Sequence, residues 1–285
     1  MTFSDSNFIM QHMHSVTPLI HSSFLSQLCG RKVLLKMENT QPSGSFKIRG
    51  IGHFVQQSKA EGCDHVVSSS GGNAGMAAAY AARKCGLPAT IVIPESTPSL
   101  MISRLEGEEA KVMVHGKNWD GANEKAQELA KEKTCCFVHP FEHPLIWEGH
   151  STLVDEILEQ SAECPSAIIV SVGGGGMLCG VLKGLHKKDT KNIAIIAMET
   201  QGANCLNEAL KVGHPVSIGS ITSIAKTLGS LTVTQGVFDL KEGINLISQV
   251  ISDRDAVEAC VRFADDHRAL VEPSCGASLA AVYKG

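Results

Sequence analysis

Two rhythms of apolar and polar positions alternate along this chain. One is short and dense in β-branched residues: Val33-Leu34-Leu35, Val66-Val67, "PATIVIP" at 88–94, "AKVMVH" at 110–115, "CCFVHP" at 135–140, "SAIIVSV" at 166–172 and "IAIIAME" at 193–199. Such short runs are expected to be strands, the one at 88–94 a buried strand. The other rhythm has helical spacing. It covers the Ala-rich stretch 73–85, the set Trp119, Ala122, Ala126 and Leu129, the stretch 145–160, the segment after the glycines at 173–176, and "CGASLAAVYKG" at 275–285. Strands that alternate with helices predict βαβ units and parallel sheet, hence an α/β fold. "HPFEHP" at 139–144 reads as a crossing between two lobes. The chain shows no internal repeat and no low-complexity segment.

Bulk composition narrows the class. A length of 285 residues predicts one or two domains with a sizeable core. With 43% hydrophobic and 19% charged residues, the chain is expected to fold rather than stay disordered. The net charge is −4 and the basic residues are scattered, which argues against nucleic acid as a partner. Residues 1–14 lack a basic stretch followed by an apolar one, so no secretory signal is expected, and no apolar run is long enough for a bilayer. The ten cysteines include no C-x-x-C pair. Reduced thiols in a cytoplasmic protein are therefore expected, with no disulfide framework or zinc ribbon.

Candidate chemistry starts at "PSGSFKIRGIGHF", residues 42–54. A lone lysine is ordinarily a solvated surface residue. An amine becomes nucleophilic when burial or a nearby cation lowers its pKa. Phe46 could supply an apolar wall for Lys47, and Arg49 a cation. Two glycine turns follow. "SSSGGNAG" (68–75) joins a strand to a helix, with Asn73 as the expected N-cap. Free N–H groups at such a helix start suit an anion, including a carboxylate. "SVGGGGML" (171–178) has more glycine than a tight turn needs, and several of its N–H groups can converge on a phosphate. Its spacing does not fit G-x-G-x-x-G, because Leu178 and Cys179 stand where the third glycine would be. Glu199, at the end of the next strand, could still mimic a ribose-binding acid, so a nicotinamide oxidoreductase stays open as a rival. His139-x-x-Glu142-His143 matches a zinc-protease pattern that requires a helix. Pro140 and Pro144 oppose one there, and a loop is expected instead.

Ser43-Gly44-Ser45-Phe46-Lys47 with Arg49-Gly50, then the 70–75 turn, then the four glycines, resembles in composition and order the fold-type II pyridoxal-phosphate enzymes. "QPSGSFKIRGIGHF" is most similar to the serine and threonine dehydratases, those of animals included, and the likeness covers nearly the whole chain. The resemblance implies a two-lobed α/β fold, tryptophan synthase β-like, with helices flanking parallel sheets. A small substrate-binding lobe would span 41–144, and a large cofactor-binding lobe 1–40 plus 145–285. Family members continue past the position of Gly285 with a further strand and a closing helix, so the large lobe is expected to be cut short, with no room for an appended regulatory domain.

By the same resemblance, pyridoxal 5'-phosphate is the cofactor and its aldehyde binds Lys47 covalently. Phe46 would lie against the pyridine ring, Asn73 near the ring hydroxyl, and the Cys275 thiol at the ring nitrogen. Gly173, Gly174, Gly175, Gly176 and Met177 would hold the phosphate. Ser70, Gly71, Gly72, Asn73 and Ala74 would hold the substrate carboxylate. Gly173, Glu199, Ala203, Leu228 and Ser230 match positions that carry a monovalent cation, K+ among the candidates. The implied reaction is β-elimination from L-serine or L-threonine, in a homodimer. Other chemistry on the same fold, namely serine racemisation or β-replacement, and a weakly active cofactor-binding relative are the alternatives. Ala replaces Gly71 in some dehydratases, a change expected to alter rate or substrate choice rather than reaction class.

Overall fold

The computed structural model describes residues 12–131 and 134–284; the leader reading of the first residues lies outside them. In chain order the strands are β1 Leu19–His21, β2 Leu34–Lys36, β3 His65–Ser68, β4 Ala89–Ile93, β5 Lys111–Val114, β6 Cys135–Val138, β7 Ala167–Ser171, β8 Ala194–Thr200 and β9 Leu246–Ile251. The α-helices are α1 Ser23–Cys29, α2 Lys47–Ala60, α3 Asn73–Cys85, α4 Ser99–Gly107, α5 Trp119–Leu129, α6 Pro144–Gln160, α7 Gly176–Lys187, α8 Cys205–Val212, α9 Gly236–Leu240, α10 Asp253–His267 and α11 Pro273–Tyr283.

The strands build two parallel sheets and one antiparallel pair. One sheet has the order β5-β4-β3-β6, the other β7-β8-β9, and β1 pairs with β2. Every pairing within the two larger sheets is parallel. The parallel arrangement follows from burial on both faces, as the apolar runs predict: all five residues of β4 are buried. Ile91 and Val66 pack with α2 and α3, while Val67 and Val92 pack with Ala122 and Ala126 of α5 on the opposite face. In the three-stranded sheet Ile168, Val170, Ile195 and Ala197 face α6 and α7. Ile169, Ile196 and Met198 face Ala277 of α11 on the other side.

Sequence and structure differ at a few elements. The strand expected from Val33 begins one residue later, at Leu34. The region around Lys47 is helical from that residue on, with Gly50 and Gly52 inside the helix rather than in a loop. Tertiary packing outweighs helix propensity there, because Ile48, Ile51 and Val55 are fully buried. The 139–143 segment is a loop, as expected; helix α6 starts one residue before the expected 145, at Pro144, and His143 caps it by accepting from the Leu145 amide at 3.1 Å. No helix of the described residues is long and apolar enough to cross a membrane.

Candidate active site

Lys47 is the first residue of α2, so its amine leaves the helix at the end that opens on a large cleft. The cleft, about 2810 Å³, is lined by Phe46, Lys47, residues 70–74, His139 to Glu142, residues 173–177, Glu272 and Cys275. The Lys47 ammonium donates to the Pro140 carbonyl at 2.6 Å and lies 5.2 Å from the Phe46 ring centroid. Burial lowers its pKa to about 8, while the charge of Glu272 works in the opposite direction. Arg49 does not play the cationic part the sequence gave it. Its side chain is 1% exposed and its guanidinium is taken by Glu38 at 2.7 Å and Glu156 at 2.6 Å. With the charge of Arg49 compensated, burial is what lowers the lysine, against the pull of Glu272.

The turn after β3 carries the first cradle. Gly72, not Asn73, precedes α3; Asn73 is already helical and caps nothing. Its amide instead donates across the cleft to Glu272 at 2.8 Å. Ser70 accepts from the Gly72 amide at 3.3 Å, and Ser69 donates to Asn123 at 2.8 Å, so hydroxyls and backbone fix the turn together. Ser70 to Ala74 thereby present the start of a helix to the cleft, where N–H groups favour an anion.

The turn after β7 carries the second. Gly175 has φ +92°, a left-handed conformation, and precedes α7. A Cβ at Gly174 would fall 2.3 Å from the Phe141 ring. The turn is braced from outside by Thr234, whose amide donates to the Gly174 carbonyl at 3.0 Å and whose hydroxyl donates to Glu142 at 2.6 Å. Met177, on the first turn of α7, packs its side chain against the core of the three-stranded sheet.

Cys275 lies on the first turn of α11 at the same cleft. Burial, helped by the charge of Glu272, pushes its thiol up to about 12, so it stays neutral. Glu199, at the end of β8, is fully buried. Its carboxylate accepts from the Leu206 and Asn207 amides at 2.8 and 2.7 Å, at the start of α8. Burial raises it to about 7 despite those donors. Fully buried against that helix, it is out of reach of a ribose, which removes the support for the nicotinamide reading. Nearby, Cys205 donates to the Gly173 carbonyl at 3.4 Å, and Gly173 packs on the Leu228 backbone. Ala203 is bridged to Thr200, and Ser230 donates to the Thr232 carbonyl at 2.7 Å.

Three participants escape the sequence reading. The Pro140 carbonyl, Glu272 and Thr227 become visible only when the chain is folded, although Glu272 stands three residues before Cys275. Glu272 accepts from both Asn73 and Thr227. Among the described residues no group of His, Cys, Asp and Glu could hold a metal ion.

Comparison with known proteins places this geometry. Residues 10–285 match the family described as pyridoxal-phosphate dependent enzyme. A mouse protein named serine dehydratase-like is 54% identical over 272 residues, covering 95% of this chain and 83% of that one. The human L-serine dehydratase/L-threonine deaminase is 52% identical over 272 residues, with the same two coverages of 95% and 83%. A crystal structure of a fungal L-serine ammonia-lyase from Rhizomucor miehei superposes with a TM-score of 0.91 at 36% identity, over 96% of this chain and 88% of that one. With its parallel sheets, its cleft lysine and these likenesses, the chain belongs to the fold-type II pyridoxal-phosphate dependent enzymes, within their serine/threonine dehydratase branch.

Proposed function

We propose that this protein eliminates ammonia from L-serine to give pyruvate, and from L-threonine to give 2-oxobutanoate, with pyridoxal phosphate as cofactor. The observation that carries the reading is Lys47: an amine with a lowered pKa, held on one backbone carbonyl, between two glycine turns that each open a helix. The residues fit the cofactor. A Cβ at Gly174 or Gly176 would run into Phe141, so only bare backbone fits that turn at the cleft, and the Cys275 thiol is neutral where a ring nitrogen needs a neutral neighbour.

When bound, pyridoxal phosphate supplies an electron sink that acidifies the Cα proton of the amino acid. The chain supplies everything around it. Gly173 to Met177 hold the phosphate with N–H groups. Phe46 would lie against the ring, Asn73 near its hydroxyl and Cys275 at its nitrogen. The neutral thiol leaves that nitrogen without a carboxylate partner, which favours elimination over transamination. Ser70 to Ala74 hold the substrate carboxylate. Lys47, freed as an amine, takes the Cα proton. The β-hydroxyl departs as water, a water is taken up as the amine leaves, and the net products of L-serine are pyruvate and ammonia.

In this reading residues 41–144 form a small substrate lobe and 1–40 with 145–285 a large cofactor lobe. The protein is a cytoplasmic homodimer. A monovalent cation, K+ first, sits among Gly173, Glu199, Ala203, Leu228 and Ser230. The buried Glu199 carboxylate supports this, since no ion pair among the described residues compensates it. Replacing K+ by tetramethylammonium should lower the thermal midpoint of the protein and leave that of Glu199→Gln unmoved; equal responses would remove the site. Lys47→Ala should abolish both pyruvate release and the visible absorbance of bound cofactor, and near-normal turnover would end the assignment. D-Serine in place of pyruvate would move the reading to racemisation.

A further inference from the structure

His139 belongs to the one motif left without a role. The zinc pattern that contains it is not helical, yet the residue lines the same cleft as Lys47 and the 70–74 turn. Its ring is fixed on two sides. Nδ1 accepts from the Glu142 amide at 2.9 Å and from the Phe141 amide at 3.3 Å. The ring stands edge-on to Phe141, with centroids 4.7 Å apart and planes at 84°, and near Phe137 at 6.3 Å.

A nitrogen that accepts two amide protons cannot carry its own. The neutral imidazole must therefore hold its proton on Nε2, the opposite edge, and the described residues make no hydrogen bond to that atom. Burial and the adjacent Lys47 charge push the ring down to about 4, so it is neutral at working pH. The link to Lys47 is also covalent in origin: the next residue, Pro140, supplies the carbonyl that holds the lysine amine. A rigid neutral donor is thus locked into the same few residues that position the base.

Three points fix a chiral amino acid in a site: its carboxylate, its Cα proton and its side chain. The first two belong to residues 70–74 and to Lys47 in the reading above. For the third, Glu272 can only accept, and its two oxygens already serve Asn73 and Thr227. We propose that the Nε2–H of His139 donates to the oxygen on the β-carbon of the substrate and selects hydroxyl amino acids. This rests on the dehydratase reading, and makes His139 the group that distinguishes L-serine and L-threonine from substrates with an apolar or halogen-bearing β-carbon.

The test uses the full chain loaded with cofactor, and compares L-serine with β-chloro-L-alanine. Both share the carboxylate, the amine and the Cα proton, and both can give pyruvate, but only L-serine has a β-oxygen. His139→Phe should lower kcat/KM for L-serine about tenfold, the size of one lost hydrogen bond, and leave β-chloro-L-alanine within about twofold. His139→Gln, whose amide can place a donor near the same point, should recover most of the L-serine activity. Equal losses on both substrates, or no loss on L-serine, would overturn the role of His139. A reading independent of turnover comes from long-range proton–nitrogen NMR of the ring in the protein without added cofactor. The Nε2–H tautomer is expected, and an Nδ1–H tautomer would also overturn the proposal. If the unsubstituted protein makes no pyruvate from either substrate, the dehydratase reading itself fails, a result distinct from a uniform loss confined to the variant.

Discussion

Lys47 shows how a single residue gains reactivity from its surroundings. Desolvation disfavours the ammonium, and the compensated Arg49 adds no repulsion. The free amine is the form that reacts with an aldehyde, and it predominates above a pKa of about 8. The rate of cofactor capture by the purified chain, followed by visible absorbance, should therefore rise between pH 7 and 9 and level off above. A rate that keeps rising to pH 10.5, as for an ordinary lysine, would show that burial does not tune this amine. The sequence announced this lysine through its neighbours, but it named the wrong one: Arg49 serves the structure, not the amine.

Elements show the same division between local signal and tertiary context. Helix α10 starts with a complete capping box, in which Ser252 accepts from the Asp255 amide and Asp255 from the Ser252 amide. Ser-x-x-Asp is legible in sequence, and Ser252→Ala should cost about 1 kcal/mol in urea unfolding with no change in the visible absorbance of bound cofactor. The glycine turn before α7 is different. Gly174→Ala should cut phosphate and cofactor affinity at least tenfold, because the methyl would enter the Phe141 ring, 2.3 Å away. Near-normal cofactor affinity in that variant would show that Phe141 can move aside. Four glycines told of a tight approach; which ring approaches, from a loop over thirty residues earlier, was not in the run.

At the scale of the whole molecule, one buried network ties the first strands to α2 and α6. Arg49 bonds Glu38 and Glu156 together, and Lys36 reaches Glu156 at 2.6 Å. Hydrogen bonds from His14, Arg49 and Lys36 hold the Glu156 carboxyl well below the usual range against the effect of its burial. A depressed folded pKa contributes stability that is present above the unfolded carboxylate value and is lost as pH falls below about 4.5. His150 acts in a higher window. It is 1% exposed, both its ring nitrogens lack partners, and burial with the charges of Lys47 and Arg49 holds it well below 6.5. The unfolded chain then binds the proton more readily, so stability declines as pH drops below about 6.5. Urea midpoints should fall from pH 7 to pH 5 and again below pH 4.5. His150→Gln should shrink the first step and Glu156→Gln the second; unchanged steps would assign the acid sensitivity elsewhere.

The pattern of the chain was enough to determine its class. A run such as 88–94 reads as a parallel strand under helices, because a strand buried on both faces has none to give to water. The lysine segment, two glycine turns and a late cysteine in that order were enough for the family and the cofactor. Strands β9 and β1 left weaker traces, β9 because Ser248 and Gln249 interrupt its apolar residues and β1 because three residues are too few to show a period. What tertiary structure alone decided is who meets whom in the cleft. Asn73 reaches Glu272 across 199 positions of sequence, and Lys47 finds a carbonyl 93 residues away. Such contacts depend on the packing of whole helices and sheets, and nothing within a few residues of either partner encodes them.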